Sequence, residues 1–301
     1  MTATVPGVRC STLAVELGEP LTATADHRAG WVLLEQPGPW GSDAFTESGL
    51  DPAVGAELVA RTKALGLKLL LITRHDRRDA TDHTVFLVRP DGGWIEERII
   101  ASPAELLGTA FGDALESLAR GERPGWGAAR IDPLYLVCTN GRRDACCALY
   151  GRPLFVALSG DSPHVWESSH IGGHRFAGNL VCLPEALIYG RVTPERGRAL
   201  VAAHAEGRLD VRSLRGRAAW PAAAQAAEIE LRLHLGLDRI ADVTLVAVKA
   251  GDEPVVDLFA RGDPWRLRMR ATPADPPRAT SCRGDKLERP LRWELLSIDR
   301  G

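Results

Sequence analysis

The apolar and polar positions in the first part of the chain predict alternating strands and helices. Four apolar segments are predicted strands: WVLLE, LKLLLIT, HTVFLVR and WIEERII. A helix over DPAVGAELVARTKAL is expected between the first two strands, capped by Asp51 with Pro52 at its first position. The last two strands should form a hairpin around Asp91-Gly92-Gly93, and Ser102 should cap a helix over PAELLGTAFGDALESLAR. The predicted order is β-α-β-β-β-α.

The next part of the chain repeats this order. Its predicted strands are LYLVC, which ends at Cys138, VWESS, NLVCLP and ALIYGRV. Helices are predicted from about Asp144 to Leu158 and from Thr193 to about Ala205. The repeated order is the thioredoxin-like pattern with a loop in place of the middle helix.

Beyond Gly207 the pattern changes to one predicted helix, AAWPAAAQAAEIELRLHLG, and four predicted strands, VTLVAVK, PVVDLFA, WRLRMRA and LRWELLSI. The sequence therefore predicts an α/β protein with two tandem thioredoxin-like units, at residues 1–128 and 129–207. An α+β C-terminal extension should occupy residues 208–301.

Composition narrows the range of functions. The 301 residues are 45% hydrophobic and 25% charged, as is usual for globular proteins, and the net charge of −2 lacks the basic excess that nucleic-acid binding requires. No signal peptide and no apolar run of spanning length is apparent, which predicts a cytoplasmic protein that does not bind membranes. Six cysteines are too few for a disulfide scaffold, so those that cluster are better explained as metal ligands or redox groups.

Two cysteines and two histidines form a complete set of four candidate ligands. Cys138 and Cys147 frame the loop CTNGRRDACC, and SSHIGGHRFAG supplies His170 and His174. The Gly-Gly pair between the histidines disfavours a helix and allows the backbone to pass close to a bulky ligand. Thiolates and imidazoles suit either a tetrahedral zinc ion or an iron-sulfur cluster, and spacing alone does not decide between them.

The segments CTNGRRDACCALYGRPLF and VWESSHIGGHRFAGNLVCLPEALIYGRV resemble the sucrase/ferredoxin-like family and, through it, the thioredoxin-like ferredoxins. This resemblance is strong over about residues 133–195 and weak elsewhere. It implies a 2Fe-2S cluster held by Cys138, Cys147, His170 and His174. It also carries over the Arg143-Asp144 pair and the block from His170 to Ala177, so that Arg143, Asp144, Gly172, Gly173 and Arg175 are expected around the ligands.

The implied activity is electron transfer rather than catalysis, with an unidentified redox partner such as a reductase. If the histidines bind one iron, two neutral donors replace two thiolates, which raises the reduction potential relative to plant-type ferredoxins. Uptake of a proton at an imidazole could then accompany the electron. No pair of carboxylates marks the chain as a glycosidase, and the oligomeric state is not evident from the sequence.

The remaining cysteines and the nearby arginines are harder to interpret. Cys146 is interpreted as a spare thiol beside the ligand Cys147, and Cys10, Cys182 and Cys282 as small apolar side chains, with Cys282 the least certain. Arginines near the ligands could dock an acidic partner or simply be solvated: Arg142, Arg143, Arg152, Arg175 and Arg191. The other six histidines are expected to have no chemical role.

Two alternatives remain open. A structural zinc module would use the same four ligands without a redox role. A thioredoxin-like thiol oxidoreductase would use Cys146 or Cys147, although the usual C-x-x-C is missing. The N-terminal unit has only Cys10, and its RHDRRDATDH segment matches the histidine loop without cysteines, which predicts a copy that holds no cluster.

Overall fold

A computed structural model describes residues 9–77, 80–283 and 287–301. After a short helix, the first half of the chain has the predicted order of elements. They are α1 (Cys10–Glu16), β1 (Trp31–Glu35), α2 (Pro52–Ala64), β2 (Lys68–Thr73), β3 (His83–Arg89), β4 (Trp94–Ile100) and α3 (Thr109–Arg120). Asp51 accepts a hydrogen bond from the backbone N–H of Ala53, as expected for a cap of α2.

The helix predicted after Ser102 is divided in two. Ser102 caps a 3-10 helix (Pro103–Leu107) through a capping box with Glu105, and α3 begins only after Gly108. Gly108 has an extended conformation, with φ of −65° and ψ of 159°, which ends the first segment. The prediction of one continuous helix was wrong because a local break at glycine outweighed the apolar periodicity.

The second half begins with one added strand, which pairs with β4, then repeats the order of the first half and ends with another strand. Its elements are β5 (Ala128–Arg130), β6 (Leu134–Cys138), α4 (Ala145–Ser159), β7 (Val165–Ser168), β8 (Leu180–Leu183), β9 (Leu187–Tyr189), α5 (Pro194–Ala205) and β10 (Leu214–Arg217). Between β7 and β8, where a thioredoxin fold would have a helix, the chain forms a loop with one 3-10 turn (His174–Phe176). That loop carries both candidate histidines.

Strands from both halves join one ten-stranded sheet in the order β10-β9-β8-β6-β7-β2-β1-β3-β4-β5. β1 is parallel to β2 and antiparallel to β3, and β6 has the same relation to β7 and β8. β2 and β7 meet in antiparallel fashion at the centre, with Ile72 opposite Ser168. The mixed α/β class is confirmed, and the two halves share a continuous sheet.

Side chains alternate between the two faces of this sheet. One face carries a core that spans both halves, including Leu33, Phe86 and Leu136. The other face has two cores, one against α2 and α3 and the other against α4 and α5. Cys138 and Cys147 belong to the core that spans both halves, so the candidate ligands lie near the middle of the molecule.

The C-terminal part forms an α+β layer. It contains α6 (Ala222–Leu235) and a four-stranded antiparallel sheet of β11 (Val243–Lys249), β12 (Val255–Ala260), β13 (Asp263–Pro273) and β16 (Leu291–Arg300). β14 (Arg278–Ala279) and β15 (Leu287–Glu288) form a separate small ribbon. The helix packs on the four-stranded sheet through an apolar core of its own. The predicted helix and the four predicted strands are thus confirmed.

Candidate metal centre

The two candidate cysteine ligands are brought together by the junction of β6 and α4. Cys138 is the last residue of β6, and Cys147 lies in the first turn of α4. Gly151 allows the helix to approach the strand end, because a Cβ at this position would lie 2.1 Å from the carbonyl oxygen of Cys138. Both thiols are buried.

The histidine loop is shaped by two glycines with positive φ, 111° at Gly172 and 70° at Gly173. The buried guanidinium of Arg215 donates hydrogen bonds to the Gly172 carbonyl at 3.0 Å and to Asn179 Oδ1 at 2.8 Å. A Cβ on Gly173 would lie 2.3 Å from this guanidinium. Asn179 in turn donates to the Gly173 carbonyl at 3.1 Å, so the loop is fixed from the β10 side.

The loop places His170 against both thiols. Nδ1 of His170 is 3.9 Å from Cys138 Sγ and 3.7 Å from Cys147 Sγ, and these three donor atoms lie within 4.8 Å of one another. Nδ1 of His174 is 3.2 Å from the other ring nitrogen of His170, with the rings stacked at 29°. All four predicted ligands are therefore neighbours, but His174 lies outside the group of three.

These distances allow a comparison with metal geometry. Tetrahedral bonds of about 2.3 Å to sulfur and 2.0 Å to nitrogen place two bound imidazole nitrogens about 3.3 Å apart and a sulfur and a nitrogen about 3.5 Å apart. The Cys147–His170 pair at 3.7 Å is close to the second separation through Nδ1 of His170, and the His170–His174 pair at 3.2 Å is close to the first through Nε2 of His170. Four donors on one tetrahedral ion would all have to lie at such separations from one another. His174 lies outside the group of donor atoms that are within 4.8 Å of one another. Cys138, Cys147 and His170 can therefore hold a metal ion, with His174 next to them.

The two thiols have opposite proton affinities. A hydrogen bond from Cys147, opposed by burial and assisted by His170, holds the pKa of Cys138 well below its ordinary value. The same hydrogen bond, together with burial, raises the pKa of the Cys147 thiol. Cys138 is thus the thiol of this pair that loses its proton more readily, and a cysteine must lose its proton to bind a metal.

Asp144 links the ligands to the start of α4. It caps the helix by accepting a hydrogen bond from the Cys146 N–H at 3.0 Å, and its Oδ2 lies 3.9 Å from His174 Nε2. Burial lowers the pKa of His174, and Asp144 opposes this effect. At 3.9 Å the carboxylate acts on the His174 ring through its charge and not through a hydrogen bond.

Cys146 turns away from the candidate ligands. Its Sγ lies 3.7 Å from Cys10 Sγ and 3.4 Å from Cys282 Sγ. A hydrogen bond from Cys10, opposed by burial, lowers the pKa of the Cys146 thiol to about 6. No sequence motif indicates this contact, because the partners are 136 residues away on either side.

The neighbouring arginines differ in their surroundings. Arg175 pairs with the buried Glu19 at 2.6 Å, and Arg191 donates to the Glu19 carbonyl at 2.7 Å. Arg175 therefore ties the histidine loop to the segment after α1, and Arg191 ties the chain after β9 to the same segment. Arg142, Arg143 and Arg152 are exposed, and Arg142 and Arg152 line a cleft of about 680 Å³ beside Trp40.

The sequence comparisons agree with the position of this site. The profile of the sucrase/ferredoxin-like family matches residues 21–216, about two thirds of the chain. The chain belongs to the sucrase/ferredoxin-like family. The match contains all four candidate ligands and Arg215, and leaves Cys10 and Cys282 outside it.

Two curated fungal proteins named "Altered inheritance of mitochondria protein 32" are similar over shorter segments. The protein of Meyerozyma guilliermondii is 38% identical over 82 residues, covering 23% of this chain and 29% of its own length. The protein of Eremothecium gossypii is 36% identical over 100 residues, covering 28% of this chain and 32% of its own length. The chain thus matches about a third of the length of these relatives. No solved structure matches the chain significantly.

Proposed function

We propose that this protein binds one 2Fe-2S cluster through Cys138, Cys147, His170 and His174 and transfers electrons. The observation that supports this most strongly is the meeting of two buried thiols and two histidines, in which His170 faces both thiols through one ring nitrogen and His174 through the other. Membership of the sucrase/ferredoxin-like family adds independent support.

A bound 2Fe-2S cluster accepts and releases one electron. With a cluster bound, Cys138 and Cys147 would supply two buried thiolate ligands, and His170 and His174 would supply two neutral ligands nearer the surface. The side chain of His174 retains 16% of its exposed area, which gives a redox partner or a proton access to this side. Asp144 places a carboxylate beside His174, while Arg215 holds the loop that carries both histidines.

The proposal includes two thioredoxin-like units, of which only the second holds the cluster. It is supported by the repeated β-α-β-β-β-α order and by the matching strand arrangement on each side of the β2–β7 contact. The first unit has a 3-10 turn (His75–Arg77) where the second has its histidine loop, and its strands contain no cysteine. We infer that it supports the sheet and contributes to partner docking.

We further propose a reducing compartment, the cytoplasm, and a partner such as a reductase. All six cysteines are unbonded, although several lie close together, which suits a reducing environment. In the described part of the chain, no helix is both long and apolar enough to cross a membrane. The exposed Arg142, Arg143 and Arg152 offer an acidic partner a positive surface beside the thiol ligands.

A structural zinc module is the second candidate, because Cys138, Cys147 and His170 alone could surround one ion. Iron, zinc and acid-labile sulfide analysis of anaerobically purified protein separates the two. The proposal predicts brown protein with iron and sulfide in equal amounts, and loss of both in Cys138→Ala. Colourless protein whose zinc is lost in Cys138→Ala would overturn it.

A further inference from the structure

Three cysteines from distant parts of the chain meet beside the candidate metal centre. Cys10 begins α1, Cys146 lies in the first turn of α4, and Cys282 follows β14. Their Sγ atoms are 3.4 Å apart for Cys146 and Cys282, 3.5 Å for Cys282 and Cys10, and 3.7 Å for Cys10 and Cys146. We call these residues the three-cysteine cluster.

The mutual distances match thiolates that share one ion. Bonds of about 2.3 Å at the tetrahedral angle place two zinc-bound sulfurs about 3.8 Å apart. The three sulfurs are slightly closer than this and lie in a triangle, so a small outward movement would create a three-thiolate site. Apolar packing alone does not explain the cluster, because Cys282 is exposed and only Cys10, Cys146 and Ala177 form an apolar contact group.

Asp144 provides a fourth donor. Its carboxylate oxygens lie 3.8 and 3.9 Å from Cys10 Sγ, and one of its oxygens falls within 4.8 Å of all three sulfurs. The carboxylate is fixed by N–H groups of Cys146 at 3.0 Å and Cys282 at 2.8 Å and by the Ser281 hydroxyl at 3.1 Å. A carboxylate can accept further bonds beyond these three, so a metal can still bind it.

Hydrogen-bond donors also reach the sulfurs. The Cys10 N–H donates to Cys282 Sγ at 3.4 Å, and the Ser11 hydroxyl lies 3.1 Å from Cys146 Sγ. Such contacts stabilise thiolates around a bound metal. Three thiolates and one carboxylate give the same charge with a divalent ion as a zinc site of four cysteines, which proteins commonly form.

We propose that Cys10, Cys146, Cys282 and Asp144 form a second metal site that binds one zinc ion. Binding converts the three thiols to thiolates and releases their protons to solvent. The ion joins the N-terminal helix and the loop after β14 to the start of α4, beside Cys147 and His174. The site would therefore hold α1 and the segment around Cys282 against the first metal centre, as a structural site.

The test is zinc and iron analysis, together with zinc X-ray absorption, on protein supplied with zinc and then treated with a mild chelator. We expect about one zinc per chain with three sulfur neighbours and one oxygen neighbour. Cys10→Ser and Cys282→Ser should lose zinc and keep iron and colour, whereas the matched control Cys182→Ser should keep both. Cys182 is also buried but belongs to a different core.

Three results would overturn this site. They are wild-type protein without zinc, a disulfide among the three cysteines in reduced preparations, and zinc with two sulfur and two nitrogen neighbours. The last result would place zinc on Cys138, Cys147, His170 and His174. It would therefore also contradict the proposed 2Fe-2S cluster. Absence of zinc from protein that contains iron and sulfide would contradict only the second site. X-ray absorption of the wild type remains informative if a variant fails to fold.

Discussion

Cys146 and Cys147 are adjacent in the chain, but their thiols face different groups. Cys147 Sγ lies 3.7 Å from His170 Nδ1, whereas Cys146 Sγ lies 3.4 Å from Cys282 Sγ. Adjacent residues of a helix lie about 100° apart around its axis, so the first turn of α4 directs the two side chains to different neighbours. One helix start therefore serves two sites.

This arrangement predicts different effects of the two serine substitutions. Cys146→Ser should keep the iron-sulfur absorption, because Cys146 Sγ does not face His170 or Cys138. Cys147→Ser should reduce or abolish it. Visible absorption before and after dithionite measures the cluster content of both variants. Loss of absorption in Cys146→Ser with retention in Cys147→Ser would show that Cys146 is the ligand.

Replacing a candidate histidine ligand with cysteine should lower the reduction potential. In His170→Cys or His174→Cys an anionic donor replaces a neutral one, which favours the oxidised state. Protein-film voltammetry of variants that retain the cluster measures the change. An unchanged potential in both would exclude the histidines as ligands.

The wild-type potential should also decline with rising pH. Reduction adds negative charge beside the imidazoles and raises their proton affinity, so the decline should occur between the imidazole pKa values of the oxidised and reduced states. The charged and titratable groups that act on His174 are Asp144, His170, Arg175 and Cys138. Voltammetry from mildly acidic to alkaline pH tests this, and a flat midpoint would contradict proton coupling.

Gly173→Ala should lower the unfolding free energy by more than the positive φ at this position would by itself. A Cβ there would strain a φ of 70° and would also displace Arg215, which lies 2.3 Å from the Cβ position. Gly207→Ala is the matched control, with a φ of 69° and no atom within 4 Å of its Cβ. The control should cost about 1–2 kcal/mol of unfolding free energy and keep the cluster. Gly173→Ala should cost more and lose colour, and equal effects would contradict the role of Arg215.

A buried ion-pair group predicts acid sensitivity. Burial alone would raise the pKa of Glu228, but the charges of Arg217 and Arg232 outweigh it and lower this pKa. Because the folded pKa lies below the unfolded value, this stabilisation is present at neutral pH and is lost as pH falls through the folded pKa. Glu228→Gln should destabilise the protein by about 3–5 kcal/mol at neutral pH, because two buried cations lose their partner. Denaturation of the wild type and of Glu228→Gln should show that their difference in unfolding free energy is smaller at acidic pH than at neutral pH. A difference that does not change with pH would contradict this assignment.

Much of the fold could be predicted from local signals. The sequence predicts the apolar runs of β1, β2 and β6, the Asp51 cap and the repeated element order, because each depends on neighbouring residues. It does not predict the continuous sheet, because the β2–β7 contact joins strands far apart in the chain. For the same reason the sequence revealed neither Arg215 against Gly173 nor the three-cysteine cluster. The four candidate ligands were found because both pairs lie within short motifs.

The most direct test of the proposed cluster is pulsed electron paramagnetic resonance of the dithionite-reduced protein. The reduced 2Fe-2S cluster is paramagnetic, and nitrogen atoms bound to its iron produce strong nitrogen-14 hyperfine couplings. The proposal predicts two such couplings in the wild type and the loss of one in a His170→Cys or His174→Cys variant that retains its cluster. A reduced protein without a paramagnetic signal, or with a signal that lacks nitrogen coupling, would contradict the proposed ligation.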